Sequence, residues 1–103
     1  MKEIKALIHR NRAADVVHAL EQAGFRNLSL VDVRGTLPAL DNQERNYSLE
    51  LGESIITEVK LELVCEDEQA EEAVRLIRQH GRTGQETAGW VYLSEVSAAW
   101  SIP

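Results

Sequence analysis

"SIITEVKLELVCEDEQAEEAVRLI", residues 54–77, changes its hydrophobic period halfway along, and that change decides the fold. Up to Glu66 the pattern alternates. Val59, Leu61, Leu63 and Cys65 face one side, while Glu58, Lys60, Glu62 and Val64 face the other. Strict alternation predicts a long strand with one face against a core. From Asp67, the expected cap of a helix, Ala70, Ala73, Val74 and Ile77 recur at helical spacing, and Gly81 stops the stripe. The acidic run "CEDEQAEE" then reads as a helix N-terminus whose charges suit the helix dipole. A strand leading straight into a one-sided helix points to helices layered on a sheet.

The same unit recurs at the N-terminus. "KEIKALIH" (2–9) alternates, with Ile4, Ala6 and Ile8 on one side and Lys5, Leu7 and His9 on the other. From Asn11, the expected N-cap, the apolar residues Ala13, Val16, Val17, Leu20 and Ala23 take helical spacing until Gly24 ends it. "LSLVDVRG" (28–35) is rich in strand formers and ends on Gly35; "GWVYLSEV" (89–96) is a final strand, followed by the short tail "SAAWSIP". The order β-α-β-β-α-β predicts an α+β, ferredoxin-like sandwich forming a single domain over residues 1–103.

The helices cover one sheet face. The other carries Leu7, Val31, Val33, Val64 and either Trp90 or Tyr92, an apolar surface that predicts self-association. Residues 36–53, "TLPALDNQERNYSLELGE", separate the second and third strands. Hairpin connections usually run about 2–5 residues. The segment is therefore read as a recognition loop, with the extended tips of two long strands as the alternative.

Bulk properties exclude several functions. Net charge is −6 and no Lys/Arg block appears, which argues against nucleic-acid binding. No apolar run approaches the roughly 18 residues of a membrane span, so direct membrane insertion is not expected. The N-terminus alternates where a signal peptide would be continuously apolar, and a cytoplasmic protein is expected. The one cysteine, Cys65, rules out an internal disulfide and falls on the core side of its strand, where an inert thiol is favoured over a redox sensor. His9, His18 and His80 have no metal-ligand spacing. No nucleophile has a recognisable His partner motif, and no catalytic residue is assigned. "HRNR" (9–12) is the one segment that could mimic the anion-binding loop of a small acylphosphatase-like enzyme.

Taken together, "MKEIKALIHRNRAADVVHALEQAGF", "LSLVDVRG" before a long loop, "EVKLELVCEDEQAEEAV" after it, and "RTG" followed by "GWVYL" resemble the nitrogen regulatory PII signal-transduction proteins and their divergent PII-like relatives. The resemblance spans nearly the whole chain. It implies a homotrimer of ferredoxin-like subunits that binds adenine nucleotides in the clefts between subunits. It also implies a long loop that engages enzymes, transcription factors or membrane transporters. By position, Ser29, Gly35, Glu62 and Val64 are candidates for holding adenine and ribose, and Gly89 and Trp90 complete the candidate nucleotide site. A carboxylate can accept from ribose hydroxyls, and a glycine lets backbone approach a ligand closely. Trp90 either stacks on a ligand ring or fills the volume of the lysine it replaces.

The phosphate side departs from the family pattern. Thr83, Gly84 and Gly89 are kept, but Gln85, Thr87, Ala88 and Trp90 replace other residues, and both family lysines are absent. The C-terminal arginines are missing as well, since the chain reads Ser101, Ile102, Pro103. A triphosphate brings about four negative charges that need cations or aimed N–H groups. Arg82 and Arg34 are the cations nearest in sequence. AMP or ADP is therefore the expected cofactor, and ATP is disfavoured. The 2-oxoglutarate positions are Ala39 and Glu58, and a carboxylate repels that dianion, so no 2-oxoglutarate sensing is expected.

Within loop 37–53, Leu37, Asp41, Glu44, Arg45, Tyr47 and Ser48 are the candidate partner-binding residues. The tyrosine that some members modify corresponds to Leu51, with Tyr47 and Ser48 nearby. Divergent relatives are associated with membrane transporters, including metal-efflux pumps, so a transporter is the expected partner. The alternative is a cation-binding, metal-tolerance module of the same fold with no nucleotide role.

Overall fold

The computed structural model describes residues 1–35 and 56–103. In chain order the elements are β1 (Lys2–Ile8), a 3-10 turn (Arg10–Arg12), α1 (Ala13–Gln22), β2 (Leu28–Gly35), β3 (Ile56–Cys65), α2 (Asp67–His80) and β4 (Trp90–Glu95). The strands form one antiparallel sheet in the order β2-β3-β1-β4. This is the expected α+β arrangement. The loop at 36–53, with the partner-binding candidates Leu37, Asp41, Glu44, Arg45, Tyr47 and Ser48, lies outside the described residues, as do residues 54 and 55 of the expected strand.

Strand alternation places the core where expected. Ile4, Ala6 and Ile8 of β1 lie opposite Leu63, Leu61 and Val59 of β3, and all six are buried. From the helical layer, Val16 and Leu20 of α1 and Ala70, Ala73, Leu76 and Ile77 of α2 close over them. Ile4, Leu20 and Leu61 are wholly excluded from solvent. Truncating one such side chain to alanine typically costs about 2–5 kcal/mol. Gly24, at φ +95°, provides the left-handed residue that ends the first βα unit.

Two helix starts differ from expectation. Asn11 does not cap α1. It sits in the 3-10 turn, where its backbone N–H donates to His9 Nδ1 at 3.1 Å, and Arg12 takes the N-cap position. Asp67 is the first residue of α2, and Glu66 is its N-cap, with the Glu66 N–H donating to Gln69 Oε1 at 3.3 Å. In a run with three consecutive carboxylates, the reciprocal contact with Gln69 three positions on selects Glu66. Asp67 instead accepts from the Met1 ammonium at 2.6 Å.

The end of α2 is held from outside the helix. Arg12 Nε donates to the His80 carbonyl at 3.0 Å while Arg12 also pairs with Asp15 at 3.0 Å. A guanidinium at a helix C-terminus satisfies a carbonyl that has no helical partner and offsets the negative end of the dipole. Arg10 pairs with Asp32 of β2 at 3.0 Å. Both arginines of "HRNR" are thus committed to structural contacts.

The segment from Gly81 to Gly89 returns the chain to the sheet. Gly84 adopts φ +90°, and Thr83 Oγ1 accepts from the Gln85 N–H at 3.4 Å. Gly89 runs so close to β1 that an added Cβ would lie 2.1 Å from the Leu7 carbonyl oxygen. Backbone cannot yield as a flexible side chain can. Gly89→Ala is expected to lower stability by about 1–3 kcal/mol, the usual cost of overpacking, seen as a lower urea midpoint at unchanged slope. An unchanged midpoint would refute the close approach.

The Met1 ammonium, by hydrogen bond and charge, holds the Asp67 carboxyl below its ordinary value of 3.8. A depressed folded-state value contributes stability above the unfolded value, and that contribution is lost as pH falls through the folded one. The stability difference between the native chain and Asp67→Asn is therefore expected to be constant near neutrality and to shrink below pH 3.8. Parallel acid-denaturation curves for the two proteins would contradict this.

Candidate functional site

The uncovered sheet face follows from the register. Rows across the strands read Val31–Lys60–Leu7–Trp90 and Ser29–Glu62–Lys5–Tyr92. Val33 lies opposite Glu58, and Val64 opposite Glu3. Trp90 and Tyr92 are two residues apart in one strand, so both face this side, where only one had been expected to contribute. Val31, Val64, Trp90 and Tyr92 remain 46, 45, 47 and 51% exposed. Lys60 pairs with Glu62 at 3.0 Å and Lys5 with Glu3 at 3.6 Å, so the charges on this face are partly internally balanced. Glu58 lies on this side of the sheet as expected, yet it is 1% exposed and far from the solvated position that alternation implies.

The candidate nucleotide residues fall into two groups. Ser29 and Glu62 are direct cross-strand neighbours, Val64 follows two residues on along the same face, and Gly35 ends β2 opposite Ile56. Gly89 and Trp90 lie at the other edge, where Trp90 pairs with Leu7. Between β3 and β4 stands β1, so Glu62 and the β4 backbone are separated by two strand spacings, roughly 10 Å. Ser29 is one strand farther away, on the opposite edge of the sheet. A single chain therefore does not gather the six residues into one concavity.

A cleft of ≈ 810 Å³ does exist at the Gly89 end. Its apolar wall includes Val74, Ile77 and Val91, and its rim is the 81–89 turn with Trp90. Arg78 and Arg82 line it, together with Glu86. Arg82 was visible in sequence as a cation near the turn. Arg78 was not singled out there, because a polar residue on an amphipathic helix reads first as solvated surface, and Arg82 lies past the end of that helix, so no helical spacing links the two. Thr83 is occupied with closing the turn. The segment thus both turns the chain and borders a cavity.

Other candidates resolve more simply. Cys65 is buried and free, and burial is the main cause raising its thiol above its ordinary value, which disfavours the reactive thiolate. Among the described residues, no group of three or more His, Cys, Asp or Glu is placed to hold a metal ion, so nothing there favours the cation-binding alternative. No helix among the described residues is long and apolar enough to cross a membrane.

Comparison with known proteins bears on the whole chain. It is 29% identical over 96 residues to nitrogen regulatory protein P-II 1 of Methanothermobacter thermautotrophicus, covering 93% of this chain and 84% of the relative. It is 31% identical over 104 residues to the nitrogen fixation nifHD region GlnB-like protein 1 of Methanothermobacter marburgensis, covering 99% and 93%. The Rhodobacter capsulatus nitrogen regulatory protein P-II shares 28% over 102 residues, covering 99% and 91%. The family model described as nitrogen regulatory protein P-II matches residues 1–102. With its antiparallel sheet, two described helices and match of nearly full length, the chain belongs to the nitrogen regulatory protein P-II family, whose members are regulators and not enzymes.

Proposed function

We propose that this P-II protein is a homotrimeric sensor of an adenine nucleotide with few phosphates, AMP or ADP, bound between subunits. Its occupancy is passed through residues 37–53 to a regulated partner, for which a membrane transporter is the first choice. The observation that carries the reading is the split of the candidate site. Ser29 on β2 and Trp90 on β4 occupy opposite edges of one sheet. Residues at opposite edges meet when one copy's β2 edge faces the next copy's β4 edge, and a head-to-tail contact of that kind closes into a ring. The half-exposed Val31, Val64, Trp90 and Tyr92 on the uncovered face support the same assembly, because an apolar face of this kind is a liability when left in water.

In the clefts so formed, Glu62 accepts from ribose hydroxyls, Ser29 donates or accepts beside it, and Gly89 brings backbone close to the ligand. The mechanism is a population shift: nucleotide stabilises one of two loop states by its differential affinity for them. Loss of the family's phosphate-side lysines supports the preference for AMP or ADP over ATP, and Glu58 argues against 2-oxoglutarate. The cytoplasm is the proposed compartment, consistent with a nucleotide effector.

Sedimentation at micromolar concentration is expected to give three copies, and Val31→Asp to give a folded single subunit. Calorimetry on the assembled protein is expected to show saturable AMP or ADP binding. Glu62→Ala should weaken it about tenfold or more, as for loss of a hydrogen bond to a charged group. An assembled trimer indifferent to all adenine nucleotides would overturn the sensing role.

A further inference from the structure

Among the described residues, two buried side chains are polar or charged, His9 and Glu58, and they are 8 and 1% exposed. Register brings them together. The β1–β3 ladder ends with Ile8 opposite Val59, and His9 keeps extended backbone, φ −64° and ψ 135°, so one further step sets it opposite Glu58. Alternation puts both on the sheet face that the helices leave uncovered. Side chains directly opposed across antiparallel strands start about 4.5–5.5 Å apart at Cβ. On its other flank Glu58 lies opposite Val33, which offers no polar side-chain atom. Neither His9 nor Glu58 is without a partner. The turn after β1 also fixes the state of the imidazole. His9 Nδ1 accepts the Asn11 N–H at 3.1 Å, so the ring is neutral and its one proton sits on Nε2.

We propose that His9 and Glu58 form a buried, proton-sensitive latch, in which Nε2–H donates to the carboxylate while Nδ1 holds the turn, and a second proton on the ring releases the turn. The carboxylate needs such a donor, because a buried charge is tolerated only when paired. When solvent supplies the second proton, Nδ1 becomes a donor facing the Asn11 N–H, and that hydrogen bond is lost, while Nε2–H stays with Glu58. The charged groups around the turn are already engaged. Arg10 pairs with Asp32 of β2, Arg12 with Asp15 of α1 and the His80 carbonyl of α2, and Lys60 of β3 with Glu62. The turn therefore grips β2 and α2 as well as β1, and releasing it loosens those contacts together. Val33 and Glu58 lie two register steps from Gly35 and Ile56, so the latch stands close to where the chain leaves and re-enters the sheet. The inference depends on neither nucleotide binding nor trimer assembly.

Nitrogen-15 NMR of the full chain tests it, with circular dichroism confirming that each variant is folded. Near neutral pH the His9 ring is expected as the Nε2–H tautomer, with that proton protected from solvent exchange and visible as a downfield resonance. Glu58→Val should abolish the resonance, and Glu58→Gln, which keeps an accepting oxygen, should retain it at a shifted position. On acidification the Asn11 and Arg12 amide signals are expected to move together with the ring nitrogens. In His9→Asn, which cannot titrate, those amide signals should stay constant over the same range. An Nδ1–H tautomer, or a ring resonance unchanged in both Glu58 variants, would overturn the pair. Asn11 and Arg12 signals that stay fixed while the ring gains its second proton would overturn the latch.

Discussion

The pairing of β1 with β3 at the centre of the sheet is the constraint on which the other features depend. Ile4, Ala6 and Ile8 meet Leu63, Leu61 and Val59, and each of these side chains must lie under the helices. A slip of one residue would carry Lys5 or Lys60 into that space and turn the core residues outward, so the register is fixed by burial on one side alone. Once it is fixed, every residue on the reverse side is fixed too. The row Ser29–Glu62–Lys5–Tyr92 and the row Val31–Lys60–Leu7–Trp90 are consequences of hydrophobic packing on the opposite surface. The candidate residues on this face are thus positioned by a core that contains none of them.

The same geometry separates roles along the sheet. The β2 edge presents Ser29 with Glu62 beside it, polar groups suited to hydroxyl recognition. The β4 edge presents Gly89, Trp90 and the cavity bordered by Arg78 and Arg82, suited to close backbone approach and to negative charge. One chain carries both groups of candidate residues but holds them apart by the width of β3 and β1.

Much of this was legible in the sequence, and the reasons for success and failure are physical. β2 spans Leu28–Gly35 as expected, since a run of strand formers ending in glycine leaves little ambiguity, and Val59, Leu61, Leu63 and Cys65 are buried as their alternation requires. The core of α2 gained Leu76, which is buried with the expected Ala70, Ala73 and Ile77 because an apolar helical face is broader than a single line of residues. Helix starts were less legible: Glu66, Asp67 and Glu68 can each accept from free N–H groups, and only the Gln69 contact distinguishes them. Asn11 lost its capping role because His9 Nδ1 accepts its backbone N–H and a 3-10 turn precedes the helix. Glu58 shows the limit of alternation, which assigns a side of the sheet but not the depth of burial there. Arg78 shows another: a helix residue and the turn that follows the helix border one cavity, and no periodic pattern signals it.

Cys65 offers a practical consequence of where the central ladder ends. It faces Lys2 at the last register position between β1 and β3, and the chain has no other thiol. Reagents that alkylate sulfur are hindered twice, by restricted access and by a diminished population of thiolate. Fraying of the N-terminal strand would open access to it, so its labelling rate is a native stopwatch for local opening, readable by mass spectrometry without adding a probe.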